Sequence, residues 1–112
     1  MPYNLDLEYR NDYFIDRFGV IAKKNMFGGV YYLINGNICF GVHKEYLVIR
    51  SPVEQSDELL NNGDITLFDI TSKPSKNWLM VSPDYVETDE QLLDTLKIGV
   101  DFAENLPHKK NG

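Results

Sequence analysis

Basic side chains gather around a short polar loop in the second half of the chain, close to its single tryptophan. Lys73, Lys76 and Trp78 lie within six residues of one another, and Arg50 ends a predicted strand that could lie near them. Lysine and arginine bind phosphate and carboxylate groups, and an indole ring provides a surface beside them. These four residues are the candidates for a ligand-binding site for a small anion or a nucleotide. A solvated loop with Trp78 in the core is the favoured interpretation of the same pattern.

Cys39 and His43 are the residues that could support nucleophilic chemistry, because an imidazole can activate a thiolate. They are four residues apart in one predicted strand and would share a face. Strand residues at this spacing have Cα atoms about 13 Å apart, which is too far for a direct hydrogen bond. A packed cysteine and a surface histidine explain the pair better, and two histidines with one cysteine do not make a zinc site. The sequence predicts no catalytic residue, no metal and no cofactor, and therefore no enzyme.

Gly28 and Gly29 could be compared with a phosphate-binding loop. They lack the further glycines or the Lys-Ser/Thr pair of such loops, and they precede a strand rather than a helix. A bulge or close backbone packing is the preferred interpretation.

Length and charge limit the function further. The chain has 112 residues, of which 43% are hydrophobic, so we expect a single domain over 1–112 with its core at about 4–107 and a flexible tail at 108–112. A formal charge of −6 repels nucleic acid backbones. With one cysteine, no leader and no apolar run of about 18 residues, the sequence predicts a cytoplasmic protein without a membrane span.

A β-hairpin over residues 26–43 is the centre of the predicted fold, because two apolar runs flank Asn35-Gly36. A two-residue loop would pair Leu33 with Ile38, and a three-residue loop would pair Ile34 with Ile38. In both registers Ile38 is expected to share a face with the next alternate residues of its strand, Phe40 and Val42.

The remaining pattern predicts three helices and three further strands. Ser51 is expected to cap the second helix, Gly63 to end it in a left-handed conformation, and Thr88 with Gln91 to form a capping box at the third. The helices are predicted at Asn4–Phe18, from Ser51 to Gly63 and from Thr88 to Pro107, and the strands at Tyr46–Arg50, Ile65–Ile70 and Asn77–Ser82. The predicted class is α+β, an antiparallel five-stranded sheet in the order α-β-β-β-α-β-β-α.

From about Lys24 to Leu106 the chain resembles the N-terminal domain of the TfoX/Sxy family, bacterial proteins named for a regulator of competence for DNA uptake. Ser75 and Asn77 depart from the family pattern, which usually has Met and Gly there. The motifs that carry the resemblance are Met26-Phe27-Gly28-Gly29-Val30, Leu33-Ile34-Asn35-Gly36-Asn37, Gly41-Val42-His43, Lys73-Pro74 with Lys76 and Trp78, and Phe102-Ala103 with Leu106-Pro107.

The resemblance implies a fold like that of secretion chaperones, which often form homodimers. The resemblance implies no catalytic activity, since stand-alone members with only this domain have no assigned activity. The expected function is a small regulatory module that interacts with a protein partner, linked to transcriptional or competence regulation. The alternative is an anion or nucleotide sensor, or a weak enzyme, that uses Lys73, Lys76 and Trp78.

Overall fold

A computed structural model describes residues 3–19, 21–68 and 75–107 of the chain. One antiparallel sheet has the strand order β1-β2-β3-β4-β6-β5. The strands are β1 (Ala22–Met26), β2 (Gly29–Ile34), β3 (Asn37–His43), β4 (Tyr46–Arg50), β5 (Ile65–Leu67) and β6 (Trp78–Val81), and the α-helices are α1 (Leu5–Phe14), α2 (Val53–Leu59) and α3 (Asp89–Glu104). The α+β class and the antiparallel sheet are confirmed, whereas the predicted number of five strands is wrong, because the sheet has six strands among the described residues.

The additional strand is β1, at one edge of the sheet. It joins β2 through a two-residue turn in which Phe27 and Gly28 have positive φ angles of 53° and 75°. Four of its five residues are exposed, so its sequence lacks the apolar alternation that predicts a strand. Gly28 therefore serves a tight turn, while a Cβ atom on Gly29 would lie 2.2 Å from the Val42 carbonyl oxygen. The close backbone packing predicted for this pair is found at Gly29.

The central hairpin has the two-residue loop, with φ angles of 54° at Asn35 and 82° at Gly36 and with Leu33 paired to Ile38. A bulge follows, because the next pair joins Tyr32 to Phe40 and leaves Cys39 as an extra residue. Ile38 consequently packs with a different cluster from Phe40 and Val42. The prediction that these three side chains share a face was wrong for Ile38.

The predicted capping box at the start of α3 is confirmed. The Thr88 hydroxyl accepts a hydrogen bond from the backbone N–H of Gln91, and the Gln91 side-chain oxygen accepts one from the backbone N–H of Thr88. The predicted cap of α2 is wrong. Its N-cap is Pro52, and the Ser51 hydroxyl instead donates to the Pro52 carbonyl oxygen at 3.1 Å. Gly63 does not have a positive φ angle, and α2 ends at a right-handed cap on Leu60.

The main core lies between the sheet and the helices α1 and α3. Leu7 and Phe14 of α1 and one face of α3 contribute to it, as their helical spacing predicts. A smaller cluster on the opposite side of the sheet contains Tyr31, Val48 and Phe68. Among the described residues, no helix is long and apolar enough to cross a membrane.

Some sequence predictions lie outside the described residues. These are the end of the predicted strand at 69–70, the loop residues 71–74 with Lys73, and the tail at 108–112. The division into a single domain over 1–112 stays a prediction.

Candidate functional site

A groove of about 570 Å³ runs between the start of α2 and the C-terminal half of α3. Its apolar lining comes from four side chains, and its polar lining from five. The apolar residues are Pro52, Ile98, Phe102 and Leu106, and the polar ones are Gln55, Asp94, Lys97, Asp101 and Asn105. The groove thus combines apolar contact area with charged side chains, as binding grooves for peptides and ligands commonly do.

The position of α3 creates this groove. Gly99 places the helix directly on the sheet, since a Cβ atom there would lie 2.0 Å from the Cys39 carbonyl oxygen and 3.7 Å from the Arg50 amide nitrogen. Ile98, next to Gly99, and Phe102, about one turn further along α3, are only partly buried and line the groove. The same close approach brings the Phe102 ring to the end of β4.

Arg50 ends β4 between two aromatic rings. Its guanidinium carbon lies 4.4 Å from the centre of the Trp78 ring and 4.7 Å from that of Phe102. Its Nε atom is buried without a hydrogen-bond partner, and among the described residues no carboxylate pairs with it. Burial lowers the pKa of Arg50. The two ring faces therefore stabilise a partly buried cation that still has unused donors.

The structure brings together two of the four predicted site residues. Arg50 and Trp78 are paired across β4 and β6. Lys76 is exposed, and its Nζ atom forms a surface ion pair with the Asp57 carboxylate of α2 at 2.8 Å. Lys73 lies outside the described residues. The sequence analysis missed Phe102 as part of this site, because only the tertiary packing of α3 brings it to Arg50.

Cys39 and His43 do not form a catalytic pair. Cys39 lies in the main core, its Sγ donates to the Tyr32 carbonyl oxygen at 3.1 Å, and burial raises the pKa of the thiol to about 12. The His43 ring instead contacts Phe68 of the smaller cluster, with ring centres 5.1 Å apart. Burial, with the nearby charge of Lys44, lowers the pKa of His43. The bulge at Cys39 is the reason that the predicted shared face is absent.

No group of three or more histidine, cysteine, aspartate or glutamate side chains could hold a metal ion in the part of the chain that the structure describes.

The sequence analysis also missed a surface feature on α1. Leu5, Tyr9 and Tyr13 form an exposed stripe along α1, with Tyr9 74% and Tyr13 71% exposed. Their spacing of four residues was the signal, since it places three apolar side chains on one helical face.

Comparison with known proteins identifies a family model that matches the chain. The family model described as "TfoX N-terminal domain" matches residues 13–103, which is most of the chain. No curated protein and no solved structure matches the sequence. The similarity to secretion chaperones therefore stays a prediction.

Proposed function

The chain belongs to the TfoX N-terminal domain family, and on this basis we propose that it is a non-enzymatic module of the cytoplasm that regulates its target by binding a partner protein. The family indicates a regulatory or competence-related role. A module of this kind needs a surface that can bury apolar side chains of another protein. The partner is expected to be a protein rather than a nucleic acid, since the formal charge of −6 repels phosphate backbones.

The observation that carries the proposal is the groove between α2 and α3. Ile98 and Phe102 lie one turn apart on α3, and Leu106 follows just beyond the end of the helix; all three line the groove and form its apolar row. Interfaces of this type gain most of their affinity from a few apolar anchors in a pocket that polar residues surround.

Site-specific cross-linking would test the proposal. A photoreactive amino acid at Gln55, which is exposed and lines the groove, should capture one defined protein in a lysate of the source cells. The same amino acid at Lys24, exposed on β1 at the far edge of the sheet, is the control and should not capture it. Identical products from both positions, or no product from Gln55, would contradict the proposal.

A pair of matched variants adds a measurement of binding affinity to this test. Leu106→Ser removes an apolar group from the groove and should weaken binding of the captured partner by about tenfold, as loss of one well-packed side chain costs about 1–2 kcal/mol. Leu67→Ser changes an exposed leucine of β5, outside the groove, and should leave affinity unchanged. Equal effects of the two variants would argue against the groove.

Arg50 supports a second candidate function, a sensor for a small anion. A partly buried guanidinium without a carboxylate partner among the described residues would bind phosphate or carboxylate more strongly than a surface lysine does. The stacked indole of Trp78 would then lie beside the bound anion.

Fluorescence of Trp78 tests this second candidate directly, because the chain has one tryptophan. Emission should change and saturate as a phosphorylated metabolite or nucleotide from a panel is added, and Arg50→Met should abolish the change. Lys76→Met, which removes a surface cation paired with Asp57, is the matched control and should keep it. Constant emission across the whole panel, with circular dichroism confirming a folded protein, would rule the sensor out.

A further inference from the structure

Negative charge is concentrated on the two helices that form the groove. Of the charged side chains on α2 and α3, only Lys97 is basic. The acidic ones, all exposed, are Glu54, Asp57, Glu58, Asp89, Glu90, Asp94, Asp101 and Glu104. Since the formal charge of the whole chain is −6, these two helices account for the entire acidic excess.

Two of these carboxylates lie at the groove itself. Asp94 and Asp101 both line it and are seven residues apart on α3, which is two helical turns. The apolar row defined above starts at Ile98, between them in sequence. The apolar row therefore runs beside two carboxylates, and the one basic side chain of the lining, Lys97, lies between them in sequence, so the charged side chains of the lining carry a net negative charge.

We propose that the groove binds a basic amphipathic segment of the partner, with apolar side chains against Ile98, Phe102 and Leu106 and with lysine or arginine side chains toward Asp94 and Asp101. This inference rests on the proposed function and adds the chemical class of the partner. An amphipathic helix presents apolar residues at the same intervals of three and four as α3 does, and such helices dock along apolar grooves.

Charge complementarity is the reason to choose a basic segment. An acidic segment would meet repulsion from both helices at once, and a neutral one would leave the carboxylates at the rim without partners. Asp57 and Asp89 are already paired with Lys76 and Arg10, but the long-range field of the remaining carboxylates on these helices would also increase the association rate of a cationic partner, and this effect should weaken as salt screens it.

Synthetic peptides can test this without knowledge of the natural partner. The probe is a fluorescein-labelled helical peptide of roughly 18 residues, with leucine on one face and lysine on the other. Fluorescence anisotropy should show saturable binding that weakens between about 50 and 300 mM salt. The same peptide with glutamate or glutamine in place of lysine, and a scrambled lysine peptide without an apolar face, should bind at least about tenfold more weakly.

Variants of the protein locate the binding. Asp94→Asn with Asp101→Asn should weaken binding of the lysine peptide by about fivefold, because two exposed charge pairs contribute about 0.5 kcal/mol each. The matched control, Asp64→Asn with Asp84→Asn, removes the same charge from exposed sites outside the groove lining and should change affinity by less than about twofold. Equal losses in both double variants would overturn the inference.

The outcomes separate this inference from the proposed function. If the glutamine peptide binds as tightly as the lysine peptide, or if no peptide binds while Gln55 still captures a protein, the basic partner is wrong and the interaction module stands. If no peptide binds and Gln55 captures nothing, both proposals fail. If analytical ultracentrifugation shows a dimer that the lysine peptide does not dissociate and that Leu106→Ser does, a second copy of the chain occupies the groove and the inference is wrong.

Discussion

Replacing Gly99 with alanine should lower the free energy of unfolding by about 3 kcal/mol, although alanine is the better helix former by about 1 kcal/mol. Gly99 lies on the buried face of α3. The Cβ atom of alanine would lie 2.0 Å from the Cys39 carbonyl oxygen and 2.9 Å from the Cys39 carbonyl carbon. Both atoms belong to the backbone of β3, so they cannot move aside as a flexible side chain would. The helix must shift away from the sheet and lose part of its core contacts.

Urea unfolding followed by far-UV circular dichroism measures this loss, and Gly63→Ala is the matched control. A Cβ atom on Gly63 has no neighbour within 4 Å, and this glycine has no positive φ angle. Alanine there should change stability by less than about 0.5 kcal/mol. An unchanged stability in Gly99→Ala would mean that α3 does not pack this closely on β3. Since α3 supplies most of the groove, a shifted helix should also weaken partner binding.

Local signals made most of the fold predictable. The capping box at Thr88 and Gln91 and the turn at Asn35-Gly36 depend on residues that are close in sequence, and both were found where predicted. The helices α1 and α3 likewise lie within the segments predicted for them. These features are decided by short-range hydrogen bonds and by periodic apolar residues, so a single sequence contains them.

Features that depend on the sheet as a whole were not predictable. β1 forms because β2 offers an unpaired edge, and its own exposed residues carry no apolar alternation. The bulge at Cys39 moves Ile38 away from the face of Phe40, and no residue in that stretch marks the change in register. A bulge adds one residue to one strand, and its position depends on packing against both faces.

The residues of the candidate site were also predictable only in part. The sequence pointed to Arg50 and Trp78 because of their residue types, and strand pairing then placed them side by side. Phe102 completes the arginine site only because Gly99 lets α3 approach the end of β4. The sequence could not predict the groove either, because α2 and α3 are more than 25 residues apart in the chain and meet only in the folded structure.

Tyr32 joins the sheet to α1, and Tyr32→Ala should lower the free energy of unfolding by about 4 kcal/mol. The side chain is completely buried and stacks on Phe40 with ring centres 4.8 Å apart. Its hydroxyl donates to the Asp12 carboxylate at 2.7 Å, and burial, with this hydrogen bond, raises the pKa of Tyr32. Lys23 binds the same carboxylate at 2.9 Å. Alanine would leave a cavity beneath α1 and remove one of its polar attachments.

Tyr32→Phe separates the two contributions, because it keeps the ring on Phe40 and removes only the hydroxyl. We expect a loss of about 1 kcal/mol, since Asp12 is partly exposed and still has Lys23 as a partner. Urea unfolding gives both values, and hydrogen exchange should show faster exchange of α1 amides in Tyr32→Ala than in Tyr32→Phe. If the two variants lost equal stability, the hydroxyl rather than the ring packing would hold α1. A large loss confined to alanine would instead establish the stacked rings as the main attachment of α1 to the sheet.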